Sequence, residues 1–216
     1  MRKISEIYTQ YKIMPNLQEH MFRVAAVASL ICDNFNESLP NEEIITACLL
    51  HDMGNIIKFK WDSPLGLLEP KLEYWKKVQS EYIEKYGENV HEATLSILKE
   101  LKLDKIVSIV ESFNNDNPYD SDNILKNNSW VIKICLYSDE RVAPFGVTSI
   151  EERLIENRKR LENRGILMSE EKYIFIKNSL LELEQQIFTK CKIKPSDITD
   201  EAISSLVLGL KNFVVK

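Results

Sequence analysis

The sequence predicts an all-α protein, and three observations carry that reading. Apolar residues recur at spacings of three and four along the chain, glycine is scarce at six in 216 residues, and Leu, Ile, Glu and Lys are abundant. With 44% hydrophobic and 28% charged residues the composition is globular, which excludes a wholly disordered chain and allows a core large enough to close around a site.

The elements follow in order. Residues 4–11 read as a short amphipathic helix, and Pro15 then introduces a longer one over about 17–34, broken by NESLPN. Asn41 reads as an N-cap with Glu42 and Glu43 in the first turn, and that helix runs through Cys48 and Leu49 to Gly54. Pro64, Gly66 and Pro70 mark residues 55–70 as a loop that could cover a pocket. Helices are expected at about 71–86, 89–101 and 103–113, followed by the turn-rich stretch 114–123. A helix over 129–142 ends at Pro144 and Gly146, and Ser149 with Glu152 forms a capping-box pattern for the next, which Gly165 closes. Helices at about 169–190 and 200–213 complete the chain. Residues 1–190 are expected to form one domain, with 191–216 a helical appendage packed on the same core.

Charge and cysteine usage narrow the function classes. A net charge of −5 gives no overall positive field, so general nucleic-acid binding is not expected. Cys32, Cys48, Cys135 and Cys191 lie far apart with no Cys-x-x-Cys pair, as expected of reduced thiols in a cytoplasmic protein. The N-terminus lacks the apolar centre of a signal peptide, and no run of about 18 apolar residues suggests a membrane span.

The chemistry rests on ionisable residues that fall on apolar stripes, where each needs a partner. His20 shares a face with Leu17, Val24, Val27 and Ile31; His51 continues the stripe of Ile44, Ala47 and Cys48 and is followed directly by Asp52; Asp139 continues the stripe of Ile132, Cys135 and Leu136. One inward histidine is more often a hydrogen-bonded core residue than a ligand. Two inward imidazoles and two carboxylates on three helices instead suit one divalent transition metal, Mn, Fe, Co, Ni or Zn.

The ordered pattern of His20, the His51-Asp52 doublet within ACLLHDMGNIIKF, and Asp139 within ICLYSDERVAPFGVTSIEERL resembles the HD-domain superfamily of metal-dependent phosphohydrolases over roughly residues 15–160. The resemblance implies a compact bundle of about eight to ten helices in which His20, His51, Asp52 and Asp139 bind one divalent cation. It further implies a hydrolase acting on a phosphoester of a small phosphorylated metabolite, a nucleotide for preference, through water that the metal activates and Asp52 orients or deprotonates. The alternative is a nucleotide-sensing module using the same metal pocket. A homodimer is compatible with the resemblance.

The remaining candidates surround the substrate. His91 falls in the first turn of a helix, where it could touch a phosphate or act as acid or base, or stand there simply solvated. Arg23, Lys58 and Arg141 are candidate phosphate partners, and Trp61 offers a ring for a base to stack on. Asn55 stands where one branch of the superfamily has an acidic residue, three after the doublet aspartate, so the general acid is not defined. With three histidines in the chain, a full two-metal centre is not expected.

Overall fold

Helix α2 (Pro15–Asp33) is the axis of the molecule, and its sequence says why. Pro15 starts it with a ready-made φ angle, and the fully buried Ala25, Ala26 and Ala28 let neighbouring helices approach closely. The computed structural model describes residues 1–61, 71–113, 125–163 and 165–216. Among these it contains ten α-helices and four two-residue strands, so the fold is all-α.

Before α2 comes α1 (Ile4–Gln10), whose Ile4, Ile7 and Tyr8 are buried; the Tyr8 hydroxyl donates to the Leu49 carbonyl at 2.6 Å. Helix α3 (Asn41–Leu50) packs along α2. Its cap differs from the sequence expectation by one residue. Pro40 is the N-cap, its carbonyl taking the amides of Glu43 and Ile44 at 3.1 Å, while Asn41 is the first helical residue. The helix also stops at Leu50 instead of continuing to Gly54, and His51 is its C-cap. A 3₁₀ turn, Asn55–Lys58, follows directly, so the expected loop is regular at its start. Residues 62–70 of that loop and the turn-rich stretch after residue 113 lie outside the described residues.

Helices α4 (Leu72–Tyr86), α5 (Val90–Glu100) and α6 (Asp104–Phe113) lie where the periodicity puts them, with Gly87 at φ 82° ending α4 and Asn89 capping α5. Helix α7 (Trp130–Glu140) packs against α2, α3 and α6. The breakers after it form a small hairpin of β2 (Val142–Ala143) and β3 (Gly146–Val147), which periodicity does not reveal in so short a segment. The Ser149–Glu152 capping box is present at the start of α8 (Ile150–Glu162), with Glu152 N to Ser149 Oγ at 3.2 Å and Ser149 N to Glu152 Oε2 at 3.0 Å. Helix α9 (Glu170–Phe188) runs beside α8 and packs on α7.

Residues 191–216 close the molecule. Cys191 bridges Phe35, helix α10 (Asp200–Leu210) packs on α2, and β4 (Val214–Val215) pairs antiparallel with β1 (Arg2–Lys3). Buried Ile198, Ile203, Leu210 and Val215 belong to the same core as α2. No helix among the described residues is long and apolar enough to cross a membrane.

Candidate metal centre

Three elements deliver four side chains to one place. His20 comes from the second turn of α2, His51 and Asp52 from the end of α3, and Asp139 from the last turn of α7. One potential ligand atom from each of His20, His51 and Asp52 falls within 4.8 Å of the others. Asp139 joins them: its Oδ1 is 3.0 Å from His20 Nε2 and 3.4 Å from His51 Nε2. Asp52 spans the two imidazoles, with Oδ2 at 3.6 Å from His20 Nε2 and Oδ1 at 3.7 Å from His51 Nε2. The histidine rings are tilted by 55° with centroids 5.5 Å apart.

The doublet is aimed by the way α3 ends. The last carbonyls of a helix lack intrahelical partners, and Cys48 offers its own to His51 Nδ1 at 2.8 Å. A carbonyl can only accept, so Nδ1 carries the proton and Nε2 is the nitrogen left to face the carboxylates. The next turn is pinned by Gly54, whose amide donates to Thr94 Oγ1 of α5 at 3.0 Å. A Cβ on Gly54 would lie 2.5 Å from the Val90 carbonyl oxygen, so only glycine lets the doublet turn seat this closely on α5.

Electrostatics test whether a cation fits. A neutral His51 would point a lone pair at two carboxylates that also only accept, an arrangement that needs positive charge between them. Without a cation, a proton serves. Burial pushes the His51 imidazole down, but the charges of Asp52 and Asp139 outweigh it and carry its pKa up to about 10. Asp139 lies well below the usual carboxylate range, because His51 and His20 more than reverse the effect of its burial. Two nitrogen and two oxygen donors, one imidazole fixed from behind by a carbonyl, fit a divalent transition metal. His51 is sealed from solvent, whereas the side chains of His20, Asp52 and Asp139 are 18%, 13% and 26% exposed, so the group opens to water on one side.

The other candidates fall differently. Arg23, one turn beyond His20 on α2, is partly exposed and among the described residues makes a long contact, 4.0 Å, with Asp200. Lys58 is exposed at the end of the 3₁₀ turn. His91 lies in the first turn of α5, beside the close approach of Gly54, and its Nδ1 is buried without a hydrogen-bond partner among the described residues. The α5 amides that a phosphate could have used at residues 91 and 92 are taken by Asn89 Oδ1, at 2.9 and 3.1 Å.

Arg141 has a different task from the one expected. It is 4% exposed and donates to Thr148 O, Tyr137 Oη, Pro195 O and Ile198 O, with Glu184 at 3.8 Å, so its guanidinium is committed inside the fold. Trp61 is likewise engaged. Its Nε1 donates to Gln79 Oε1 at 2.6 Å, its ring packs on Phe59, and Gln79 Nε2 returns bonds to the carbonyls of Ile56, Ile57 and Phe59. The start of the expected lid is therefore anchored to α4. Sequence reasoning gave no part in aiming the site to Cys48, Gly54, Thr94 or Gln79. Only Cys48 had a signal, its position three residues before His51 at a helix end.

The HD domain family model matches residues 17–135, more than half of the chain. The chain belongs to the HD domain family, whose members form a superfamily of metal-dependent hydrolases. No curated protein and no solved structure matches it. The matched span contains His20, His51 and Asp52 and stops four residues short of Asp139, which the fold brings to both imidazoles.

Proposed function

We propose that the protein is a phosphohydrolase that holds one divalent transition metal through His20, His51, Asp52 and Asp139 and cleaves a phosphoester of a small metabolite, with nucleotides the favoured class. The observation that carries this reading is the convergence of two imidazoles and two carboxylates, with the His51 tautomer fixed by Cys48 so that Nε2 faces inward. When bound, the cation supplies Lewis acidity, making water nucleophilic near neutral pH and drawing charge off a phosphoryl oxygen.

The chain's own groups do the rest. Asp52, spanning the two imidazoles, accepts the proton of the attacking water and orients it. Arg23 and Lys58 are the cations left for substrate phosphate once Arg141 is committed elsewhere, and Arg23 needs only to release a long contact to Asp200. His91, in the first turn of α5, is the candidate to protonate the leaving oxygen.

The test is metal analysis of the purified protein beside a metal-supplemented phosphatase screen over nucleotides, sugar phosphates and p-nitrophenyl phosphate. Close to one metal per chain and turnover lost in His51→Ala and Asp139→Ala support the reading. Metal retained in both variants removes the ligand assignment, and tight nucleotide binding without turnover makes the protein a sensor.

A further inference from the structure

Five large apolar side chains that the core does not use lie on one helical hairpin. Ile155 of α8, Ile166 and Leu167 of the connection, and Ile174 and Phe175 of α9 are between 49% and 85% exposed. The hairpin is itself well made. Arg158 holds Glu170 at 2.9 Å and lies over the Tyr173 ring at 4.8 Å, and Lys177 holds Glu151 at 2.6 Å. These cross-links set an antiparallel register that puts Ile155 level with Tyr173, one residue from Ile174, so the exposed residues of the two helices lie side by side. Helix α9 turns Ile176, Leu180, Leu183 and Ile187 inward, which leaves Ile174 and Phe175 on its outer flank.

The exposed parts of these five side chains amount to on the order of 500 Å² of apolar surface, the size of patch that marks an interaction site on a soluble protein. Doubled, that is about 1,000 Å², the apolar share of an ordinary two-fold interface before its polar rim is counted.

The charges around the patch select the partner. If two copies of α8 cross antiparallel about Ile155, positions equally far on either side meet, so Glu151 of one copy faces the partner's Lys159. About Ile174 on α9 the same rule sets Glu171 against the partner's Lys177. Both pairings are of opposite sign, so the face is complementary to itself, as a two-fold interface requires. We infer that the α8–α9 hairpin is a homodimerisation arm, packing against the same hairpin of a second copy as an antiparallel four-helix contact centred on Ile155 and Ile174.

Light scattering coupled to size exclusion, and sedimentation at low to tens of micromolar chain, test this on the full protein. The wild type is expected to run as a dimer. Ile155→Glu and Ile174→Glu, both at exposed positions, should raise the dimer dissociation constant at least tenfold with unchanged circular dichroism. Lys159→Glu, which leaves the Glu151–Lys177 cross-link intact, should weaken association by placing like charges opposite each other. A wild type that is monomeric throughout this range, or a dimer indifferent to both isoleucine substitutions, overturns the proposal.

Discussion

Replacing Gly54 by alanine tests the link between the helical scaffold and the candidate metal centre. Gly54 has φ −89° and ψ −4°, which alanine adopts freely, so the backbone itself is no obstacle. Space is the obstacle. The new methyl would sit 2.5 Å from the Val90 carbonyl oxygen and 3.0 Å from both Ala93 Cβ and Thr94 Oγ1, and the first of these is backbone at the start of α5 that cannot rotate away. The doublet turn must retreat, which strains the packing by about 1–3 kcal/mol and weakens the buried Gly54–Thr94 hydrogen bond, worth about 1 kcal/mol. Loss of glycine's freedom in the unfolded chain returns about 0.4–1 kcal/mol. The net expectation is a loss of roughly 1–3 kcal/mol, or about 2–12 °C in Tm for a chain of this size. Gly209→Ala is the control of opposite sign: it lies exposed inside α10 with nothing within 4 Å of a Cβ, and should gain about 0.5–1 kcal/mol. Urea denaturation reads both. Because His51 and Asp52 ride on the retreating turn, Gly54→Ala should also weaken metal binding in a competition titration, whereas Gly209→Ala should not. A Gly54→Ala protein as stable as wild type with unchanged metal affinity would refute the steric argument.

Two further outcomes are expected. Arg141→Met should cost roughly 3–5 kcal/mol in urea denaturation, since it strips buried carbonyls of their donor and Glu184 of a neighbouring positive charge; a loss under about 1 kcal/mol would mean these bonds do not hold the C-terminal segment. In chelator, the metal-free protein should lose stability as pH rises. The folded His51 pKa of about 10 lies above the unfolded value, so its contribution is complete below about 6.5 and fades toward 10, with a slope of at most about 1.4 kcal/mol per pH unit. Urea midpoints taken below about pH 8, before unfolded thiols titrate, should show that slope in the wild type and not in His51→Gln; equal slopes would deny His51 its proton.

The legible parts of this molecule were those written locally. The helix start at Ser149 and the stop at Gly87 follow from residue types whose caps and dihedrals act within a few positions, and the structure has them there, whereas the second helix starts at Pro15, two residues before the expected Leu17. The inward positions of His20, His51 and Asp139 were readable because a stripe of apolar residues fixes which way a helical side chain faces. The end of α3 was misread because Gly54 is the nearest residue type that signals a helix stop, while the stop at Leu50 accompanies a tertiary contact with α5 that sequence spacing does not encode. The surroundings of Trp61 were out of reach for a related reason. A proline-rich stretch signals a break in the helix, but whether its aromatic residue faces a ligand or Gln79 depends on α4, eighteen residues away.

Arg141 carries the most consequential of these misreadings. Two positions after a candidate ligand, an arginine suggests a substrate partner only if it continues the helix face, and Arg141 is the residue at which α7 ends. Its side chain reaches Pro195 and Ile198, 54 and 57 positions away, and Asp200 just beyond takes the amide of Val147 in the adjoining hairpin at 3.1 Å. The segment that looked like an appendage is thus tied at two points to the end of the helix that carries Asp139. The family match ends four residues before Asp139, although the apolar stripe of α7 already signals its inward position. Completing the four-residue centre therefore depends on contacts between the last third of the chain and α7. Loss of those contacts should free the Asp139 end of α7 while leaving His20 and the doublet on α2 and α3.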